Sequence, residues 1–419
     1  MAAGYGELLR SPHVLRLLTG TLVGRLPHGT APLAIVLFTR AEGGGYSLAG
    51  ALAAVHGLAT AVGQPLLGRL VDRRGQRLMF PAALVSALAM ATLALVGTGS
   101  VPLAAALVLL AGLTTPPLEG ALRALWSSVL GVPERVRRAY ALDAVAQEVM
   151  FAGGPLVVML LVAAWSEGAA LLVINVVGLL GALTVVVSEP SRAWRGERRE
   201  AHWLGALRSG GLRALLGCFL CVGMALGAIS VAAVAYADAR GDELVASYLL
   251  SALGVGALVG GLCYGARPWA GPAESRLLVL VTALAAGYLP LALVPASVAL
   301  MTLLAGVCGV FLAPALACAF VVIDRHAPRG TVTEAFSWLV TTFGVGAAVG
   351  TAVAGPVVEW GQEAAGFLVA GVSGWLGVLV LLATRRVLAA PRGESAPSAE
   401  SRNDRNAALE PGFRSGHQA

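Results

Sequence analysis

Lysine is missing from this chain: all 29 basic residues are arginine, a coding bias expected of a GC-rich, bacterial genome. Charge of either sign is scarce, at 12% of residues against 57% hydrophobic, and the mean hydropathy is +0.80. A soluble domain carries about twice that share of charge, so composition excludes a water-soluble protein. The net charge of +6 needs no nucleic-acid partner and reads as a topology signal. Chemical equipment is lacking too. Without lysine no Gly-x-x-x-x-Gly-Lys loop can cradle phosphates, and no nucleophile-base-acid set is evident. The five cysteines (Cys218, Cys221, Cys263, Cys308 and Cys318) all lie in apolar runs, and the Cys218/Cys221 pair has no further ligands nearby. Neither an enzyme, a metal site nor a cofactor is expected.

What the chain does have is long apolar runs. A hydrocarbon core takes about 20 apolar residues per helix. The chain divides into twelve such stretches, near 14–38, 48–70, 78–97, 101–126, 139–163, 167–187, 212–236, 244–266, 276–294, 296–323, 334–358 and 362–384. The expected fold class is all-α, a polytopic membrane protein with twelve transmembrane helices. With 53 glycines and frequent alanine, helix contacts must come from close backbone approach. The first stretch is too long for a cleavable signal core, and no small-residue cleavage pattern follows it, so it is expected to remain as the first helix.

Arginine placement sets the orientation, because short cytoplasmic loops retain positive charge. With the N-terminus inside, the inner loops hold Arg69, Arg73, Arg74 and Arg77, then Arg135, Arg137 and Arg138, then Arg192, Arg195, Arg198, Arg199 and Arg208. The second half adds Arg267, Arg276, Arg325, Arg329, Arg385 and Arg386. The outer loops keep only Arg40 and Arg240, each beside acids (Glu42; Asp238, Asp242 and Glu243). Both termini are therefore expected in the cytoplasm and the protein in the cell membrane, as a monomer in the lipid bilayer.

The arginine-rich joint 189–211 divides the chain into a cytoplasmic N-terminus (1–13), a bundle of six helices (14–188), the linker itself, a second bundle (212–385) and a polar tail (386–419) expected to be disordered. The halves echo each other. Phe336 of "TEAFSW" follows Tyr140 of "RAYALD" by 196 residues, and Gly350 follows Gly154 by the same 196. Shared landmarks at one offset suggest duplication. Parallel six-helix repeats meeting at a central cavity match a secondary transporter, whose partner is a small-molecule substrate.

Between the second and third stretches runs Gly68-Arg69-Leu70-Val71-Asp72-Arg73-Arg74-Gly75-Gln76-Arg77. A glycine, an acid four residues on, and basic residues around a second glycine, between helices 2 and 3, resemble the cytoplasmic signature of the major facilitator superfamily. The helix count, long central joint and duplication extend that resemblance over residues 14–385. It implies two pseudo-symmetric six-helix bundles working by alternating access. It also implies a gate of Gly68, Asp72, Arg73, Gly75 and Arg77, in which Asp72 holds the inner ends together at the start of helix 11, near Thr333 and Glu334. A carboxylate is favourable there, because a helix N-terminus carries about half a positive charge. One departure is Gln76, where the family usually has a basic residue; Arg77 comes one place later. The plainer reading of the turn is a solvated basic loop kept for topology.

A charge in the bilayer costs a few kcal/mol and marks function or a buried pair. Arg25, about 11 residues into helix 1, and Glu148, about 9 into helix 5, lie at similar depth, roughly 13–17 Å from the inner face, and are expected to pair. Glu119 and Arg123 share one face of helix 4 and run toward the inner end, where Asp143 opens helix 5. A neutral network of Arg25, Glu148, Glu119 and Arg123 would tie the bundle together. Alternatively it couples transport to protons: a desolvated carboxyl, Glu148 or Glu119, changes its proton affinity as its arginine partner moves, with Arg25, Arg123 and Asp143 among the coupling candidates and His28 and His56 extending the relay. The proton gradient would then be the energy source.

The second half carries no charge between its helix ends and offers aromatics, Tyr236, Trp338 and Phe343 among them. Gln147 and Asn175 are among the few mid-membrane amides. Such a cavity suits an amphipathic or hydrophobic substrate better than a sugar. Pro27, Pro155 and Pro356 are expected hinges, and Gly153-Gly154-Pro155 loosely resembles the helix-5 signature of the superfamily's drug:proton antiporter branch. Proton-coupled export of small amphipathic or hydrophobic compounds is the favoured reading. Uptake of a small nutrient or metabolite and a non-transport membrane role are the alternatives.

Overall fold

A hydrocarbon core offers no water to backbone N–H and C=O groups, so each crossing segment must close its own hydrogen bonds. In the computed structural model, which describes residues 2–196, 204–242, 244–269 and 271–389, every regular element is helical. Eleven helices among the described residues are long and apolar enough to cross a bilayer. They are span 2 (Tyr46–Arg74), span 3 (Gln76–Val96), span 4 (Val101–Leu130), span 5 (Pro133–Ala164), span 6 (Glu167–Val186), span 7 (Gly210–Asp238), span 8 (Leu244–Ala266), span 9 (Ala273–Leu293), span 10 (Val298–His326), span 11 (Val332–Trp360) and span 12 (Glu363–Ala383). Span 1 completes the set in two pieces, Val14–Gly24 and Leu26–Ala41.

The breaks follow the prolines. Span 1 is interrupted at Arg25, and Pro27 stands in the first turn of its second piece, where a missing N–H costs nothing. Span 4 breaks between Leu113 and Leu118, across Pro116 and Pro117. Span 10 breaks after Gly309 and restarts at Leu312, with Pro314 in the new first turn. The single stretches expected at 14–38, 101–126 and 296–323 are thus each two helices. Pro155 and Pro356 lie inside spans 5 and 11.

Two other boundaries differ from expectation. Span 5 starts at Pro133 and not near 139, so Arg135, Arg137 and Arg138 ride in its first turns instead of a loop. Spans 11 and 12 form one helical run, Val332–Ala383, of 52 residues. Straight, it would be about 78 Å long. Gly346 nevertheless lies against Leu220 and Gly377 against Cys218 and Cys221, adjacent turns of span 7, and a Cβ on Gly366 would stand 2.7 Å from the Val358 side chain. The run therefore doubles back near its midpoint into two antiparallel crossings.

Outside the spans, Ala2–Arg10 is a helix, and the joint between halves contains a short helix, Glu189–Ala193, and a 3-10 turn, Gly205–Arg208. Arg198, Arg199, Glu243 and the tail from 390, with Arg392, lie outside the described residues. The repeat landmarks sit in matching places. Gly154 of span 5 packs on Thr30 of span 1, and Gly350 of span 11 packs on Met224 of span 7. Tyr140 and Phe336 meet directly, ring centroids 6.0 Å apart, with Phe320 at 6.0 Å from each.

Candidate functional site

Four charged side chains converge in the first half. Arg25 stands at the break in span 1. Glu119 and Arg123, one turn apart on the second piece of span 4, share a face, as do Asp143 and Gln147 on span 5. Arg25 Nε lies 2.9 Å from Glu119 Oε1, and Arg25 Nη1 donates to Asp143 Oδ1 at 3.0 Å. Arg123 Nε donates to Asp143 Oδ2 at 2.6 Å, and Arg123 Nη2 lies 3.7 Å from Glu119 Oε2. Gln147 Oε1 accepts from Arg25 Nη2 at 3.4 Å and from Arg123 Nη2 at 3.1 Å. Two cations and two carboxylates balance, which offsets most of the desolvation that isolated buried charges would suffer.

The expected Arg25–Glu148 pair does not form. Successive residues on a helix are turned by about 100°, so Glu148 points away from the face that carries Asp143 and Gln147. It lies instead on the side of Ala141 and Val145, which meet span 8 at Gly261 and Gly265. Asp143, expected at the opening of helix 5 as one of the proton-coupling candidates, takes the place assigned to Glu148. Because span 5 begins at Pro133, Asp143 is ten residues in, about 15 Å, level with Arg25.

The cluster floors a cavity of about 520 Å³ between the halves. Its first-half wall presents His28, His56, Thr60, Gln64, Glu119 and Gln147; its second-half wall, with Leu316, Phe320, Leu339, Val340 and Phe343, is apolar apart from Thr341, whose hydroxyl donates to Ala61 O at 3.1 Å. Arg123 joins the two walls: its guanidinium lies 3.8 Å from the Phe320 ring centroid and 5.6 Å from that of Phe336, a cation–π arrangement with no signature in residue spacing. Of the cavity candidates, Gln147 and Phe343 line this space. Asn175 does not; it faces a small cleft behind span 1 that also meets His28, His56, Gln64 and Glu119. Tyr236 is buried at the far end of span 7, its hydroxyl donating to Pro295 O at 2.8 Å. Trp338 packs against the hydrophobic core.

At the face bearing the Gly68–Arg77 turn, here called inner, the halves are closed. Asp72 Oδ1 accepts from the N–H of Thr333 at 3.1 Å and Oδ2 from that of Glu334 at 2.8 Å, so the carboxylate caps span 11 with charge and hydrogen bonds together. Arg69 pairs with Glu334 at 2.7 Å, a contact the sequence reading missed. Gly68 comes so close to Glu334 and Ser337 that an added Cβ would stand 2.7 Å from Ser337 Oγ. Gly75 ends span 2 at φ +93°, a conformation glycine adopts without strain. Arg73 and Arg77 are exposed. Gln76 is fully buried and donates from Nε2 to Ala121 O at 2.9 Å; a basic residue here would bury a charge against span 4. The inner end of span 8 is held by Tyr5, whose hydroxyl donates to Leu262 O at 3.1 Å, and by Arg137, which donates to Arg267 O at 3.2 Å.

A family model described as Major Facilitator Superfamily matches residues 17–304. No curated protein sequence matches the chain. Among solved structures, a bacterial homologue of the iron transporter ferroportin in an outward-facing state is similar at a TM-score of 0.71 and 14% identity, over 89% of this chain and 99% of that one. A structure of that homologue with soaked iron gives 0.66 and 16%, over 88% and 98%. The human organic anion transporter MFSD10 (TETRAN) gives 0.65 and 18%, over 88% and 98%. At these identities the likeness is one of fold.

Proposed function

This chain belongs to the major facilitator superfamily, and from that premise we propose that it exports small amphipathic or hydrophobic compounds by alternating access, driven by the proton gradient without a cofactor. One observation carries the reading: a cavity of about 520 Å³ sets an ionisable wall against an apolar one, and Glu119 lies on both the cavity and the charge cluster. An amphipathic compound would rest its apolar part on Phe343, Leu339 and Val340 and its polar part toward Gln64, Gln147 and Glu119. A proton on Glu119 leaves Arg25 and Arg123 facing Asp143 alone, with one uncompensated positive charge. That imbalance favours rearrangement around Arg123, which touches the second half, and gives protons a way to bias the direction the cavity faces. The arginine distribution supports a cell-membrane location with both termini in the cytoplasm.

Proteoliposomes carrying an imposed pH gradient and a panel of lipophilic fluorescent dyes test the proposal. Glu119→Gln should abolish gradient-driven dye movement while leaving dye exchange at equilibrium. Glu148→Gln, outside the cluster, should retain both. Gradient-driven movement at the normal rate in Glu119→Gln would refute the coupling role, and net movement opposite to export would favour uptake.

A further inference from the structure

The joint between the halves touches the inner closure at two points that the gate described above does not use. Past the short helix Glu189–Ala193, Gly196 lies against the carbonyl oxygen of Asp72 so closely that no side chain fits between them. Further on, Gly205 is wedged between the Glu334 carboxylate and the Arg69 guanidinium, again with no room for a Cβ, and at φ +55°. The next residue, Ala206, donates its N–H to Glu334 Oε1 at 3.2 Å, the same oxygen that accepts from Arg69 Nη2 at 2.7 Å. Glu334 is thus held both across the gate and by the joint, and Gly196 packs on the backbone of Asp72.

We propose that the described ends of the joint, at Gly196 and at Gly205–Ala206, are a third component of the inner gate, a strap whose contacts set how readily the transporter opens inward. The inference rests on the reading that the Asp72–Glu334 closure opens during alternating access. Glu334 is fully buried and its Oε1 gathers one donor from the first half and one from the joint. The carboxylate cannot leave Arg69 without also leaving, or carrying with it, the Ala206 N–H. The joint belongs to neither bundle, so this hydrogen bond resists inward rotation of either. At Gly196 the Asp72 backbone leaves no space for a side chain, and at Gly205 a Cβ would push aside the Glu334 and Arg69 side-chain ends while the left-handed φ strains any residue that carries one.

The test uses electron–electron distance measurement between spin labels at Arg135→Cys and Arg267→Cys, exposed inner positions on opposite halves and away from the strap, with the five native cysteines replaced. Gly205→Ala should raise the ratio of inner-open to inner-closed protein by about five- to tenfold, the scale of one net hydrogen bond, and Gly196→Ala should act in the same direction. Adding Gly205→Ala to Glu334→Ala should change nothing further, because the seat is already gone. If Asp72→Ala opens the inner face while neither glycine variant does, the strap is overturned and the closure stands. If none of the variants opens it, both are overturned. Additive effects of Gly205→Ala and Glu334→Ala would likewise overturn the strap, by placing its action elsewhere.

Discussion

Neutralising Asp143 tests whether charge balance holds the buried cluster. In Asp143→Asn the carboxylate that lies 2.6 Å from Arg123 and 3.0 Å from Arg25 loses its charge. Two guanidinium groups then share Glu119, and one net positive charge remains among side chains at most 11% exposed. Removing one member of a buried ion pair costs about 3–5 kcal/mol, whereas exchanging a whole pair for uncharged groups of similar size is close to neutral. Adding Arg123→Met returns the cluster to balance as an Arg25–Glu119 pair. The double variant should therefore recover most of the loss, less about 0.5–2 kcal/mol for the cation–π contact with Phe320. Unfolding equilibria in mixed detergent micelles read the difference directly. Asp143→Asn should raise the unfolding constant by roughly two to four orders of magnitude, at about 1.4 kcal/mol per tenfold change, and the double-variant cycle should show coupling of at least about 2 kcal/mol. A harmless Asp143→Asn, or a double variant that costs the sum of both singles, would show that charge balance is not what stabilises this site.

Asp72→Ala leaves the buried N–H groups of Thr333 and Glu334 without their acceptors, at about 1–3 kcal/mol each. A thiol at Ser337→Cys, sealed under Gly68 in the closed form, should then react with an impermeant maleimide from the inner face, and labelling as slow as in the parent would contradict the gate. Gly260 of span 8 lies on the Val310 carbonyl of span 10, whereas an added Cβ on Gly254 would have open space around it. Gly260→Leu should cost about 1–3 kcal/mol or more by overpacking and Gly254→Leu almost nothing, so equal thermal stability of the two would be contrary to the packing described here.

The number and placement of the crossings were legible because hydropathy reports the solvent, and the solvent here is lipid. The contact of Asp72 with the start of span 11 was legible from a spaced motif with a simple electrostatic partner. The pairing of Arg25 was not. Charges at Arg135, Arg137 and Arg138 made the start of span 5 read as a loop, which placed Asp143 at the membrane edge instead of about 15 Å inside it. Depth alone then favoured Glu148, and the angle around the helix, which decides between residues five apart, was not weighed. Arg69–Glu334 and the joint's contacts with the gate escaped for another reason. They link residues 265 and 128 positions apart through local geometry at a turn and a glycine, which leaves no periodic trace. Tyr236 and Asn175 show the limit of residue type as a guide: a membrane tyrosine or asparagine satisfies itself on a nearby backbone carbonyl, Pro295 or Leu171, as readily as it faces a cavity.

The first turn of span 11 is where the charge cluster and the inner gate come together. Thr333 and Glu334 offer their N–H groups to Asp72, the Glu334 carboxylate holds Arg69 and the joint, Phe336 stands beside Arg123 and Tyr140, and Ser337 receives Gly68. These four residues lie on consecutive turns of one hydrogen-bonded helix, so it cannot withdraw from Asp72 while keeping Phe336 in place beside Arg123. Any change that repositions Arg123 acts on the same helix start that caps the gate. A shift of Arg123 in the first half is thereby felt in the second half at the Phe336 ring and at the capped start of span 11.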